Sequence, residues 1–121
     1  MVDVLRCVDN QFGGARCQSS TACDKFAVPD QAREEFCSPA RRTHLVLRDQ
    51  PGLVADYLLE QIAGPGRCNA VTMVQWQSAD AMEAAKPAVI DAHAAVSFAP
   101  VACFDSVGIS SGLGNYEDAA R

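Results

Sequence analysis

Few side chains in this sequence can do proton or anion chemistry. One tryptophan, two histidines and six cysteines occur among 121 residues. Trp76 stands in the stretch VTMVQWQSADAM, where a strand hands over to a helix. An indole carries one N–H donor and a broad apolar face, so it can hold a planar anion or simply anchor the strand against the helix. His93 falls late in the following helix, on its apolar stripe. Imidazole titrates near neutrality and is the natural general base, although a lone helical histidine also fits a partly buried structural role. His44 lies near the arginine pair Arg41-Arg42 and reads as structural.

The cysteines are Cys7, Cys17, Cys23, Cys37, Cys68 and Cys103. None forms a C-x-x-C pair, so a structural zinc site is not expected. Cys17 and Cys23 fall in one expected strand, where about 3.3 Å per residue puts them ~20 Å apart. A disulfide tolerates roughly 7 Å between Cα atoms, so that pair cannot bond in an extended strand. All six read as thiols that behave as small apolar residues. Phosphate-loop, nucleophile-elbow and HExxH motifs are lacking.

The elements that must position these groups follow from periodicity and turn chemistry. Residues 1–14 read as an N-terminal extension, 15–110 as one domain and 111–121 as a polar C-terminal tail. A first strand is expected over Ala15 to Phe26, ended by Pro29-Asp30. A helix from about Gln31 to Arg48 puts Ala32, Phe36, Ala40, Thr43 and Leu47 on one stripe. Pro39 makes it either one kinked helix or two short ones. After Pro51-Gly52, LVADYLLEQI and NAVTMVQWQ read as strands joined through AGPGRC. The second strand puts Ala70, Thr72, Val74 and Trp76 on one face. Ser78 caps the next helix, whose stripe is Met82, Ala85, Val89, His93 and Val96. Pro87 must distort that helix. CFDSVGIS is the expected final strand. The order β-α-β-β-α-β predicts an α+β, ferredoxin-like domain: a four-stranded antiparallel sheet with both helices on one face.

Apolar residues make up 49% and charged residues 21%, as in an ordinary globular domain. A net charge of −5 with only ten Lys and Arg argues against a nucleic-acid partner. No apolar run is long enough to span a bilayer, and MVDVLRCVDNQF lacks the order of a secretory signal. A membrane partner is therefore not expected, and the expected location is the cytoplasm.

Three stretches, DKFAVPDQAREEF, RRTHLVLRDQPGLVADYLLEQ and NAVTMVQWQSADAM, together resemble the antibiotic biosynthesis monooxygenase family of dimeric α-β barrels. The Pro-Gly before the second strand and W-x-S-x-x-A-M are its most telling parts. The resemblance implies a homodimer with two sheets packed face to face, and a pocket between sheet and helices. It implies chemistry without metal, flavin or other cofactor: a small acidic aromatic, such as an anthrone, loses a proton and its carbanion reacts with dioxygen. The protein then stabilises the anion, positions it and excludes water.

Carried over residue by residue, Trp76 matches the tryptophan of the family's third strand. Asp24 matches a first-strand position where the oxygenases carry asparagine; as a buried carboxyl group it is a candidate base or donor, or else an edge carboxylate paired with Lys25 or Arg16. Thr72 stands where some of those enzymes place a second asparagine, and Met82 where they place a tyrosine. Their pocket arginine has no counterpart. Thr72, Met82 and Phe36 are the expected substrate contacts; Trp76, His93 and Asp24 are the candidate catalytic groups. Haem-degrading relatives carry a tryptophan about ten residues before the helical histidine. Here Glu83 occupies that position, which disfavours haem. Two functions follow: a cofactor-independent monooxygenase, or a barrel that binds a small molecule, for instance in a stress response, without turning it over.

Overall fold

The computed structural model describes residues 19–120. The expected extension 1–14, the start of the expected first strand, and Cys7 and Cys17 lie outside the described residues.

Strand β1 (Ser20–Ala27) has little apolar bulk, yet it pairs on both sides. A 3₁₀ turn, Asp30–Ala32, leads into helix α1 (Arg33–Arg48). Strands β2 (Leu53–Glu60) and β3 (Ala70–Trp76) follow, then helix α2 (Ala79–Ala95). A short helix α3 (Pro100–Ser106) precedes β4 (Ser110–Gly112) and β5 (Asn115–Tyr116). The sheet order is β2-β3-β1-β4, wholly antiparallel, and β5 continues along the same edge of β1 beyond β4. The architecture is the ferredoxin-like α+β arrangement.

One element differs from expectation. The final strand is not CFDSVGIS: Pro100 sits at the start of α3, where its fixed φ and missing N–H suit a first helical turn. Pairing begins only at Ser110, so the edge of the sheet is built from residues 110–116, beyond the boundary expected at 110. Of the two alternatives at Pro39, one helix rather than two short ones is found. α1 runs through it as one helix, and the Thr43 hydroxyl donates to the Pro39 carbonyl at 2.9 Å.

The Pro-Gly turn and the W-x-S-x-x-A pattern prove to be one structural device. Gly52 has φ +87°, a conformation that L side chains avoid. A Cβ there would approach the Ala81 Cβ at 2.6 Å, and the Gly52 carbonyl accepts the Gln77 N–H at 2.8 Å. Ser78 caps α2 by accepting from the Ala81 N–H at 3.1 Å. The turn before β2 is thus clamped to the first turn of α2, which sets where Trp76 ends its strand.

Two apolar clusters fill the layer between sheet and helices. Phe26, Phe36, Cys37 and Ile109 centre one; Leu47, Val74, Trp76 and Met82 centre the other. Between them lies a hollow bordered by residues of both clusters. No single described helix is long and apolar enough to cross a membrane; α2 and α3 together pass on length and composition but are bent by 57°.

Candidate functional site

The hollow is floored by the β1–β3 ladder. Asp24 lies directly opposite Thr72, Ala22 opposite Val74, and Ser20 opposite Trp76. The period of two turns this row toward the helices. α1 walls the space with Phe36, Ala40 and Thr43, and α2 with Met82, Ala85 and His93. α3 roofs part of it through Phe104. The cavity volume is about 550 Å³. If dry, such a void would cost about 13 kcal/mol at roughly 24 cal/mol per Å³, comparable with the whole stability of a domain, roughly 5–15 kcal/mol. It is therefore a cavity open to solvent, and the exposed Lys86, Ile90, Val101 and Leu113 mark its rim.

All six site residues expected from sequence border this one cavity. Trp76 is 2% exposed, and among the described residues nothing accepts from its indole N–H. A buried donor without a partner is costly, and this one adjoins space that a ligand or solvent can occupy. Thr72, four residues earlier on the same strand face, lines the cavity as well. Asp24 accepts a hydrogen bond from the Gly114 N–H at 3.3 Å and has no ion-pair partner among the described residues. Burial raises its carboxyl above the ordinary aspartate value, and the Gly114 N–H opposes that only in part. Met82 is buried and contributes only apolar surface. Phe36 belongs mainly to the core: its ring lies 4.7 Å from Phe26 and 5.8 Å from Phe104, centroid to centroid.

His93 is held in one orientation. Its Nε2 lies 3.1 Å from the Thr43 Oγ1, whose single proton is already given to Pro39. The hydroxyl oxygen must then accept, so Nε2 carries the hydrogen and Nδ1 holds the free lone pair of the neutral ring. Burial, aided by the charge of Arg42, lowers the His93 pKa below 6.5. The ring is thus neutral at pH 7, ready to take a proton on Nδ1. Phe98 meets it edge-on, with centroids 5.2 Å apart. The chain is returned there by a C-terminal motif in which Phe98 N–H bonds the His93 carbonyl and Ser97 N–H bonds that of Ala94. Ser97 pays for the motif with φ +53°.

Sequence reasoning missed two parts of the site. One is α3, whose Phe104 and Val101 border the cavity. The start signal was present in Ala99-Pro100. The other is His44, which is 6% exposed and lines the cavity too. Its Nδ1 lies 2.9 Å from the Asp56 carboxylate, which Arg48 also holds at 3.1 Å. Burial raises the Asp56 pKa, but the hydrogen bonds from Arg48 and His44 outweigh it and leave the group below its ordinary value. A partial signal existed, because His44 and Arg48 share a helix face at i,i+4 spacing. Glu83, by contrast, is exposed and pairs with Lys86 at 2.8 Å, away from the cavity floor.

No family model matches the chain, and neither does any curated protein. Solved structures do match. SnoaB, a cofactor-independent oxygenase from Streptomyces nogalater, is 23% identical with a TM-score of 0.59, over 82% of this chain and 91% of that one. A variant of MhuD with two manganese protoporphyrin IX molecules per active site is 21% identical with a TM-score of 0.63, over 83% and 94%. A conserved protein from Methanosarcina mazei Go1 is 9% identical with a TM-score of 0.61, over 83% and 92%. The oxygenase and MhuD belong to the antibiotic biosynthesis monooxygenase, dimeric α-β barrel superfamily, and the resemblance drawn from sequence holds at the level of fold. At these identities the likeness establishes the fold alone.

Proposed function

We propose that this protein is a cofactor-independent monooxygenase, acting as a cytoplasmic homodimer on a small planar aromatic or quinol-like metabolite. The observation that carries the reading is the buried Trp76, whose N–H has no acceptor among the described residues, bordering the same open cavity as a neutral, oriented His93. In this reading His93 Nδ1 takes a proton from an acidic CH₂ of the substrate. The Trp76 N–H and the Thr72 hydroxyl hold the resulting enolate oxygen. An anion beside Asp24 favours its neutral form further, and a neutral carboxyl can donate to that oxygen. The carbanion adds dioxygen; the hydroperoxide formed loses water and leaves a carbonyl. One dioxygen thus converts CH₂ to C=O and releases one water, with no outside reductant.

The test is oxygen uptake with an anthrone or a naphthol and no added metal. Replacing one donor to a developing oxyanion costs about a hundredfold or more in kcat, so Trp76→Phe should fall by that order while still folding. Full turnover in a folded Trp76→Phe protein would remove the indole from the mechanism.

A second reading is favoured by one observation: Met82 supplies only apolar surface, and Thr72 a single hydroxyl, at positions where the resemblance places tyrosine and asparagine. The protein would then bind an apolar guest without turnover. Thermal stabilisation by the aromatic with no oxidised product would support that reading, and product formation would end it.

A further inference from the structure

The proposed oxygenase reading leaves His44 unused, although its surroundings are those of a proton-transfer group. The ring is buried, borders the cavity, and makes a 2.9 Å hydrogen bond through Nδ1 to Asp56. Among the described residues, Nε2 has no partner. Asp56 cannot swing away, because the Arg48 guanidinium grips both of its oxygens, Nε lying 3.2 Å from each. The carboxylate fixes the proton on Nδ1, orients the ring, and stabilises the cation formed when Nε2 gains a proton. A packing histidine needs no such support, and a buried imidazole nitrogen left without a partner is costly. Three residues from two elements build this arrangement: His44 and Arg48 from α1, and Asp56 from β2, where its side chain faces the helices.

We infer that His44, positioned by Asp56 and Arg48, is the acceptor for an ionisable hydroxyl on the ligand, so that the cavity selects planar phenols or enols over their non-hydroxylated analogues. This deepens the proposed function and rests on its reading of the cavity as a binding site. The step is a proton transfer alone: the ligand O–H bond breaks, an N–H bond forms at Nε2, and the phenolate faces an imidazolium whose Nδ1–H remains on Asp56. No electrons are exchanged. The assignment also divides labour between the two histidines, His44 taking an O–H proton and His93 a C–H proton. The other charged or titratable groups facing the cavity are Asp24 from β1, Lys86 and His93 from α2, and Asp105 from α3. Lys86 is the competing cation, although it is exposed and already paired with Glu83.

The experiment uses 4-nitrophenol, whose ionised form has its own visible band, and 4-nitroanisole, which lacks the proton. In the wild-type protein the ratio of ionised to neutral bound nitrophenol should exceed that of the free probe at the same pH by about tenfold, equivalent to one pKa unit. His44→Gln and Asp56→Asn should each return the ratio to that of the free probe while nitroanisole still binds, which shows that the cavity is intact. Lys86→Met should leave the ratio raised. A raised ratio that survives His44→Gln, or that vanishes with Lys86→Met, overturns the inference and leaves the binding cavity standing. Loss of nitroanisole binding in both His44→Gln and Asp56→Asn assigns the cluster to folding and overturns it as well. If neither probe binds the wild-type protein, the cavity reading falls with it. Oxygen uptake is measured separately, so an inactive protein that still ionises the probe keeps this inference and loses only the oxygenase.

Discussion

At the residue scale, the tautomer of His93 depends on a hydroxyl that has already spent its proton. Thr43 donates to the Pro39 carbonyl one turn back along α1. The same oxygen then accepts from His93 Nε2. Thr43→Val removes that acceptor, and the expected result is loss of the Nε2–H preference, read from the ¹⁵N shifts of the ring. An unchanged tautomer ratio would show that Thr43 does not set it. The pH dependence follows from the lowered pKa of His93. Between that value and 6.5 the unfolded chain binds more protons than the folded one, so the stability from this group is complete above about 6.5 and declines as pH drops through the folded pKa. His93→Gln should flatten the denaturation midpoint across that window, and an unaltered slope would contradict the burial argument.

At the scale of elements, the site depends on where β3 ends and α2 begins. Gly52 holds that junction through its positive φ and its closeness to Ala81. Gly52→Ala meets both the conformational penalty and the clash, and destabilisation of about 1–3 kcal/mol is expected in urea titrations. Because the clamp places Trp76, ligand affinity should drop with it. A Gly52→Ala protein as stable as the wild type would mean that the turn relaxes without consequence. Legibility varied by element for a physical reason. Gly52, Ser78 and the alternation of β3 are encoded by neighbours in the chain. β1 has almost no local signal, and its strand character comes from pairing on both edges.

At the scale of the whole molecule, no described residue of a single chain covers the sheet face turned away from the helices. Tyr57, Met73 and Cys23 form one row across it, and Leu59, Val71 and Lys25 the next. Tyr57 is 52% exposed and Leu59 45%. A largely apolar sheet face of this kind needs a partner layer, and the proposed homodimer supplies one by packing two such faces together. Met73→Asp buries a charge at the centre of that contact. Sedimentation should then show a dimer weakened by at least about tenfold. A Met73→Asp protein that still dimerises as the wild type does would move the interface elsewhere.

Read alone, the chain specified the order of elements as far as α2, the Pro-Gly turn, the cap at Ser78 and the face of β3 that carries Thr72 and Trp76. Each of these rests on contacts within a few residues, where period and turn chemistry operate. The tertiary structure alone decided that Cys103 to Ser106 is helix, that residues 110–116 close the sheet edge, and that His44 meets Asp56 across a layer. It also decided that the space above Ala22 and Thr72 stays open. Hollows and buried pairs arise from which side chains fail or manage to meet between elements, and that is a property of packing, which no local pattern records.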